Sequence, residues 1–381
     1  MRKSRKNYKT VGGNGKKTLI LLQHNNSFGM KTSFFVLVFT LFAAALSSCT
    51  TDVDLYADYK DITIVYAMLN PKADTNYVKI TRAFCGTNDN PINANEIAQI
   101  YDSSNYSGKL DARIIEMKNT HGNVFEPTGR VMRLDTITLH DKEEGVFYAP
   151  DQQFYYTAES FYTGSEESKY KYRLVVVKPD GDSLTAQTGM VGNAEFSIMT
   201  NGVAFQVAST NEVKKIMFKA DDFASLYEVS MQFNYREQKT GQGMKKKNVR
   251  RSFGTRAINE FHKVEGTDNL YSLDYSVNWL FNALSFAIGG DTIYDTNHPN
   301  VVRYIDDFVI SISAASDELT YYYIANQSQM NSPMSLVTTY TNIEGGYGLF
   351  SSRTKIEKEA KLSAYTKKEL FGMSSWGFVE H

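Results

Sequence analysis

The chain has 381 residues, 42% hydrophobic and 13% aromatic, which is ample material for packed cores and argues against a disordered polymer. Its formal charge of -1 conceals an asymmetry: Arg2, Lys3, Arg5, Lys6, Lys9, Lys16, Lys17 and Lys31 fall in the first 48 residues, with no acidic residue among them. Without those eight, 33 basic residues face 42 acidic ones, a balance that offers no electrostatic case for nucleic acid.

The first element is a leader. Lys31 supplies a positive start, and Phe34 to Leu46 form an almost wholly apolar stretch. That stretch has signal-peptide length and is short for a membrane span, which needs roughly 20 residues. It ends in Leu46-Ser47-Ser48-Cys49, an apolar residue, two small residues and a cysteine that resemble a lipobox. Cleavage is therefore expected before Cys49, with acyl chains on its thiol and amine that together anchor the protein durably. Residues 1–48 are the leader on this reading, with translation expected to begin at Met30, and 49–60 the lipidated linker. Acylation of Cys49 leaves Cys85 expected as a free thiol, a small buried hydrophobe.

Beyond the linker the pattern is strand-like. Val78 and Ile80 alternate with Tyr77, Lys79 and Thr81. A short helix is expected at 93–101 within a long connection. Asn119 to Asn123 reads as a hairpin loop. Tyr172, Leu174 and Val176 alternate with Arg173, Val175 and Val177, apolar on both faces and so predicted to be central. Pro179-Asp180-Gly181-Asp182 then supplies a turn, proline presetting φ and glycine accepting a positive one. A domain boundary is predicted at Gly192–Asn193. Val229, Met231, Phe233 and Tyr235 share one strand face, and Phe308, Ile310 and Ile312 another. The stretch 275–288 is apolar on too many sides to assign firmly to a helix. Ser316 to Met330 reads as a helix, with Asp317 and Glu318 suited to its first turn. From Thr354 the chain is charged, either a packed helix or a tail. The fold class expected is mostly β: two β-sandwich-like domains, 61–192 and 193–352, with a few short helices and a charged tail over 353–381.

Near the end, Asn342-Ile343-Glu344-Gly345-Gly346-Tyr347-Gly348-Leu349-Phe350 concentrates three glycines in four positions. Such a run permits a sharp return or bulge, and Asn342, Gly345, Gly346 and Gly348 are expected to be structural. As a phosphate cradle it fails, since no helix follows and no lysine stands where a P-loop needs one. With the lipobox and the early strands Ile62–Tyr66 and Tyr77–Arg82, this segment resembles lipoproteins of the Bacteroidota grouped as a domain of unknown function and often encoded beside TonB-dependent outer-membrane receptors. The resemblance covers most of residues 50–352 and departs from the family in an insertion at 86–108. It implies an outer-membrane, lipid-anchored protein working near a receptor, and it carries no catalytic residue.

Chemistry-bearing patterns are sparse. His121, His140, His262, His298 and His381 lack metal-ligand spacing, and no Gly-x-Ser-x-Gly elbow occurs. Asp291, Asp295, Asp306 and Asp307 form the densest acidic group but lack a regular calcium loop, so they read as solvated. Lys245-Lys246-Lys247 with Arg250 and Arg251 read as an exposed hairpin flank, with anionic headgroups as a weaker alternative. Aromatics cluster at Phe154-Tyr155-Tyr156, at Phe161-Tyr162 and at Tyr321-Tyr322-Tyr323, as core or as a platform for a sugar or a partner protein. No catalytic site, metal or cofactor is expected. The function expected is a non-enzymatic binding component of the envelope, with the membrane and a TonB-dependent receptor as partners. A surface adhesin or fimbria-like subunit, and a glycan-binding protein or hydrolase, are the alternatives.

Overall fold

The computed structural model describes residues 62–83, 105–139, 152–161, 170–192, 197–199, 203–206, 212–288, 300–331 and 340–380. Leu46, Ser47, Ser48, Cys49 and Cys85, and the helix expected at 93–101, lie outside them.

The first eight strands are β1 (Thr63–Leu69), β2 (Asn76–Arg82), β3 (Asp111–His121), β4 (Val124–Arg133), β5 (Asp135–Leu139), β6 (Gln152–Thr157), β7 (Tyr170–Val177) and β8 (Ser183–Gly189). They form two facing layers, β1-β2-β6-β5 and β4-β3-β7-β8. Their inward side chains make one core, including Val65, Val78, Ile114, Tyr172, Leu174 and Val176, each fully buried. Burying a side chain of that size contributes about 1.5–3 kcal/mol. Strand β7 pairs on both sides, with β3 and β8, as its doubly apolar sequence predicts. The Pro179–Asp182 turn joins β7 to β8, with Gly181 at φ 90°. The loop predicted at 119–123 tightens to Gly122-Asn123, because β3 and β4 continue up to it.

The remaining elements are β9 (Ser197–Met199), β10 (Val213–Lys219), β11 (Ala224–Lys239), β12 (Lys245–Ala257), β13 (His262–Lys263), β14 (Leu270–Ser276), α1 (Trp279–Ile288), β15 (Val301–Ser316), α2 (Asp317–Asn331), β16 (Tyr347–Glu359), α3 (Ala364–Gly372) and β17 (Phe378–Val379). Tyr275 belongs to strand β14, so only the second part of the stretch 275–288 is helical. The sheets β12-β11-β15-β16 and β13-β14-β10-β9, together with α1 and α3, enclose a second core rich in rings, among them Phe205, Phe218, Phe233 and Phe308. The fold is mostly β and sandwich-like.

Strand β16 joins the two halves. Residues Tyr347–Ser352 pair in parallel with β1, and Arg353–Glu359 pair antiparallel with β15, so one nine-stranded sheet runs through both. The cores nevertheless divide by sequence: one draws on Val65–Met190 with Ile343 and Phe350, the other on Val191–Phe378. Residues 353–380 are not a tail. They complete β16, then form α3, capped by the Ser363 hydroxyl accepting from Thr366 N, and then β17. Arg303, fully buried, fastens this end. Its Nε and Nη2 donate to Glu237 Oε2 at 2.9 and 2.7 Å, and its Nη1 donates to the Trp376 carbonyl at 2.7 Å.

Candidate functional site: an aromatic groove on the sheet that joins the halves

Period-two alternation decides which side chains reach the outer face of this sheet. On β1, Val65, Ala67 and Leu69 turn into the first core, so Tyr66 and Met68 face outward. On β2, Val78 and Ile80 turn inward, which leaves Tyr77 and Lys79 outside. Register then gathers these side chains. Tyr66 stands opposite Lys79 on one side and Leu349 on the other, and Tyr77 stands opposite Tyr156.

Strand β6 adds Phe154, whose ring meets Tyr77 edge to face with centroids 6.2 Å apart. The Lys79 ammonium lies 5.0 Å from the Phe154 centroid. Helix α2 forms the opposite wall with Leu319 and Tyr322. The result is a groove of about 620 Å³. A second cleft of about 460 Å³, over β11, β15 and β16, shares Asn70, Leu319 and Arg353 with it.

Tyr66 and Met68 are 48% and 47% exposed, large side chains left open in the middle of a sheet. Partial burial, and then the Tyr322 hydroxyl that Tyr66 hydrogen-bonds, push the Tyr66 phenol above its ordinary pKa. Arg353 points outward where the two clefts meet and makes no ion pair with a described residue. Among the described residues no carboxylate, histidine or cysteine lines the larger groove. Its described walls carry flat apolar rings and two cations, groups that bind and orient a ligand.

Behind the groove a buried polar network ties the halves together. The Ser352 hydroxyl accepts from Val191 N at 3.0 Å and donates to the Gly189 carbonyl. Thr188 Oγ1 donates to Glu318 Oε2 at 2.7 Å. Burial pushes the Glu318 carboxyl up, while hydrogen bonds from Ser316 and Thr188 pull it down, and burial prevails. Ser316, expected at the start of helix α2, thus has its hydroxyl on the Glu318 carboxylate.

The glycine segment spans the two layers of the first sandwich. Glu344 exchanges backbone hydrogen bonds with Thr185 of β8, and Tyr347 onward pairs with β1. Asn342 Nδ2 donates to the Phe350 carbonyl at 2.7 Å, and Phe350 N donates to Asn342 Oδ1 at 2.9 Å, so one amide side chain stands in for a neighbouring strand. Gly345 and Gly348 have φ of 82° and 116°. The strand it leads into, β16, begins in the first half and serves both.

Other sequence candidates disperse. Asp306 accepts from Arg236 and Asp307 from Asn234, each at 2.6 Å, while Asp291 and Asp295 lie outside the described residues. No group of three metal-ligating side chains occurs among the described residues. Lys245 to Arg251 occupy β12, the edge of the nine-stranded sheet, where cations discourage edge-to-edge pairing. Of the aromatic clusters, Tyr155 and Phe161 are buried in the first core, whereas Phe154 and Tyr322 line the groove. Tyr66, Tyr77 and Arg353 were not anticipated. The available signal was that β1 and β2 carry rings at the positions that alternate with their core residues, where a solvated face carries polar side chains.

No known protein-family model matches this chain, and no curated protein is significantly similar to it. Among the described residues no helix is long and apolar enough to cross a membrane.

Proposed function

We propose that this protein is a lipoprotein of the outer envelope, anchored through acyl chains on Cys49, and that it acts as a noncovalent binding component with the aromatic groove as its binding surface. The observation that carries the reading is the groove itself: Tyr66, Tyr77, Phe154 and Tyr322 converge with Arg353 on a face that no described residue covers. Convergent rings with a few placed polar groups are the usual make-up of a ligand site. The anchor is read from the apolar run Phe34–Leu46 ending at Cys49. Resemblance to lipoproteins encoded beside TonB-dependent receptors points to such a receptor as partner. Lipid anchoring would confine both proteins to one surface and raise their effective concentration.

The test has two parts. Cys49→Ala should abolish incorporation of labelled lipid and release the protein from membranes. The native protein, taken from mildly solubilised membranes, should bring an outer-membrane receptor with it. A Cys49→Ala protein that still carries label would refute the anchor, and native protein that comes out of the membrane with no receptor would refute the receptor as partner.

A further inference from the structure

Within the binding reading, the character of the groove narrows the ligand. Its walls offer ring faces and edges: Tyr77 and Phe154 meet at 79°, so an inserted ring can find a face and an edge in one place. Its charges are of one sign. Lys79 and Arg353 line it and no described carboxylate does, in a chain where acidic residues outnumber basic ones beyond the leader. Lys79 is already engaged, donating to Gln152 and lying over the Phe154 ring. Arg353 has no described partner, and its planar guanidinium matches a carboxylate or sulfonate with two parallel hydrogen bonds. The volume, about 620 Å³, falls in the range of small-molecule sites. The amides nearby are engaged mainly with the turn that joins β1 to β2. Asn76 spends Oδ1 on Asn70 N and Nδ2 on the Asn70 carbonyl, and Asn70 Oδ1 accepts from Lys72 N.

We propose that this groove binds a ring-bearing organic acid, its ring among Tyr66, Tyr77, Phe154 and Tyr322 and its anionic group on Arg353. The inference rests on the reading of the groove as a binding surface and adds the class of ligand.

Two dyes test it. 8-Anilinonaphthalene-1-sulfonate is a ring-bearing anion, and N-phenyl-1-naphthylamine is its neutral counterpart without the sulfonate. Each is titrated by fluorescence into the native protein and into Arg353→Gln and Tyr66→Ala, with near-ultraviolet circular dichroism to verify folding. The anionic dye should bind the native protein more tightly than the neutral one. Arg353→Gln should weaken the anionic dye by about tenfold, as loss of a charge-assisted hydrogen bond implies, and leave the neutral dye unchanged. Tyr66→Ala should weaken both. An Arg353→Gln protein that holds the anionic dye as the native one does overturns the proposal, as does a native protein that prefers the neutral dye or binds neither. Should Tyr66→Ala misfold, Arg353→Gln decides alone, because its side chain is exposed and outside the core. Equal binding of both dyes, lost together in Tyr66→Ala, would retain the binding surface and reject the acid. Binding of neither dye would reject the surface as well.

Discussion

Gly348 is where the smallest change should do the most damage. It lies opposite Val65 in the parallel pairing of β16 with β1, at φ 116°. A Cβ added there would stand 1.9 Å from the Val65 carbonyl oxygen and 2.8 Å from its carbon. Real contacts of this kind stay above about 3 Å, so Gly348→Ala must part the strands by on the order of 1 Å. A hydrogen bond near 2.9 Å does not survive that movement, and one or two ladder bonds at about 1 kcal/mol each would be lost. A side chain at a positive φ adds about 1–3 kcal/mol of backbone strain. The total is roughly 2–5 kcal/mol, a large part of the 5–15 kcal/mol by which domains are usually stable. Gly345 is the control. Its φ of 82° is also positive, but its nearest neighbour to an added Cβ is the Ser183 carbonyl at 3.3 Å, so Gly345→Ala should cost only about 1 kcal/mol. Urea unfolding of both variants beside the native protein measures this, with near- and far-ultraviolet circular dichroism checked for coincident transitions. If Gly348→Ala unfolds within about 0.5 kcal/mol of the native protein, or Gly345→Ala proves the more damaging, the close approach of β1 and β16 is wrong.

The other predictions concern the Arg303–Glu237 pair and Glu318. Arg303→Met should lower stability by about 3–5 kcal/mol, because Glu237 would be left buried with Lys239 only at 4.0 Å. Arg303→Met with Glu237→Met should recover most of that loss in the same urea assay, and a double variant as weak as the single would refute the ion-pair account. For Glu318 the folded pKa is raised by burial, so its protonated form is the better fit. The stability that form contributes is full below the unfolded glutamate pKa, about 4.3, and is lost as pH rises through the folded value. Glu318→Gln should therefore gain on the native protein as pH is taken from 4 to 8 in thermal melts, and a constant difference across that range would contradict the assignment.

Local periodicity determined a good deal of this protein. The alternation of Tyr172, Leu174 and Val176 with an equally apolar opposite register marks a strand paired on both sides, and β7 is one. Pro179-Asp180-Gly181 specifies its turn within four residues, and Asp317-Glu318 marks the start of α2. These are short-range matters, decided by φ preferences and by whether a face is apolar every second residue or every third and fourth. What alternation cannot specify is the partner across the ladder. Phe154 and Tyr155 are adjacent and chemically alike, yet one lines the groove and the other lies in the core with its hydroxyl accepting from Leu110 N. Only the packing of two sheets decides which of them faces in. Strand β16 reads as one apolar run giving way to charge, and that change is the point at which it leaves β1 for β15. Through that exchange of partners, side chains from β1, β2, β6, α2 and β16, far apart along the chain, come to line one groove. The groove is a product of long-range pairing, whose choice rests on burial summed over whole sheets and on no single residue's neighbours.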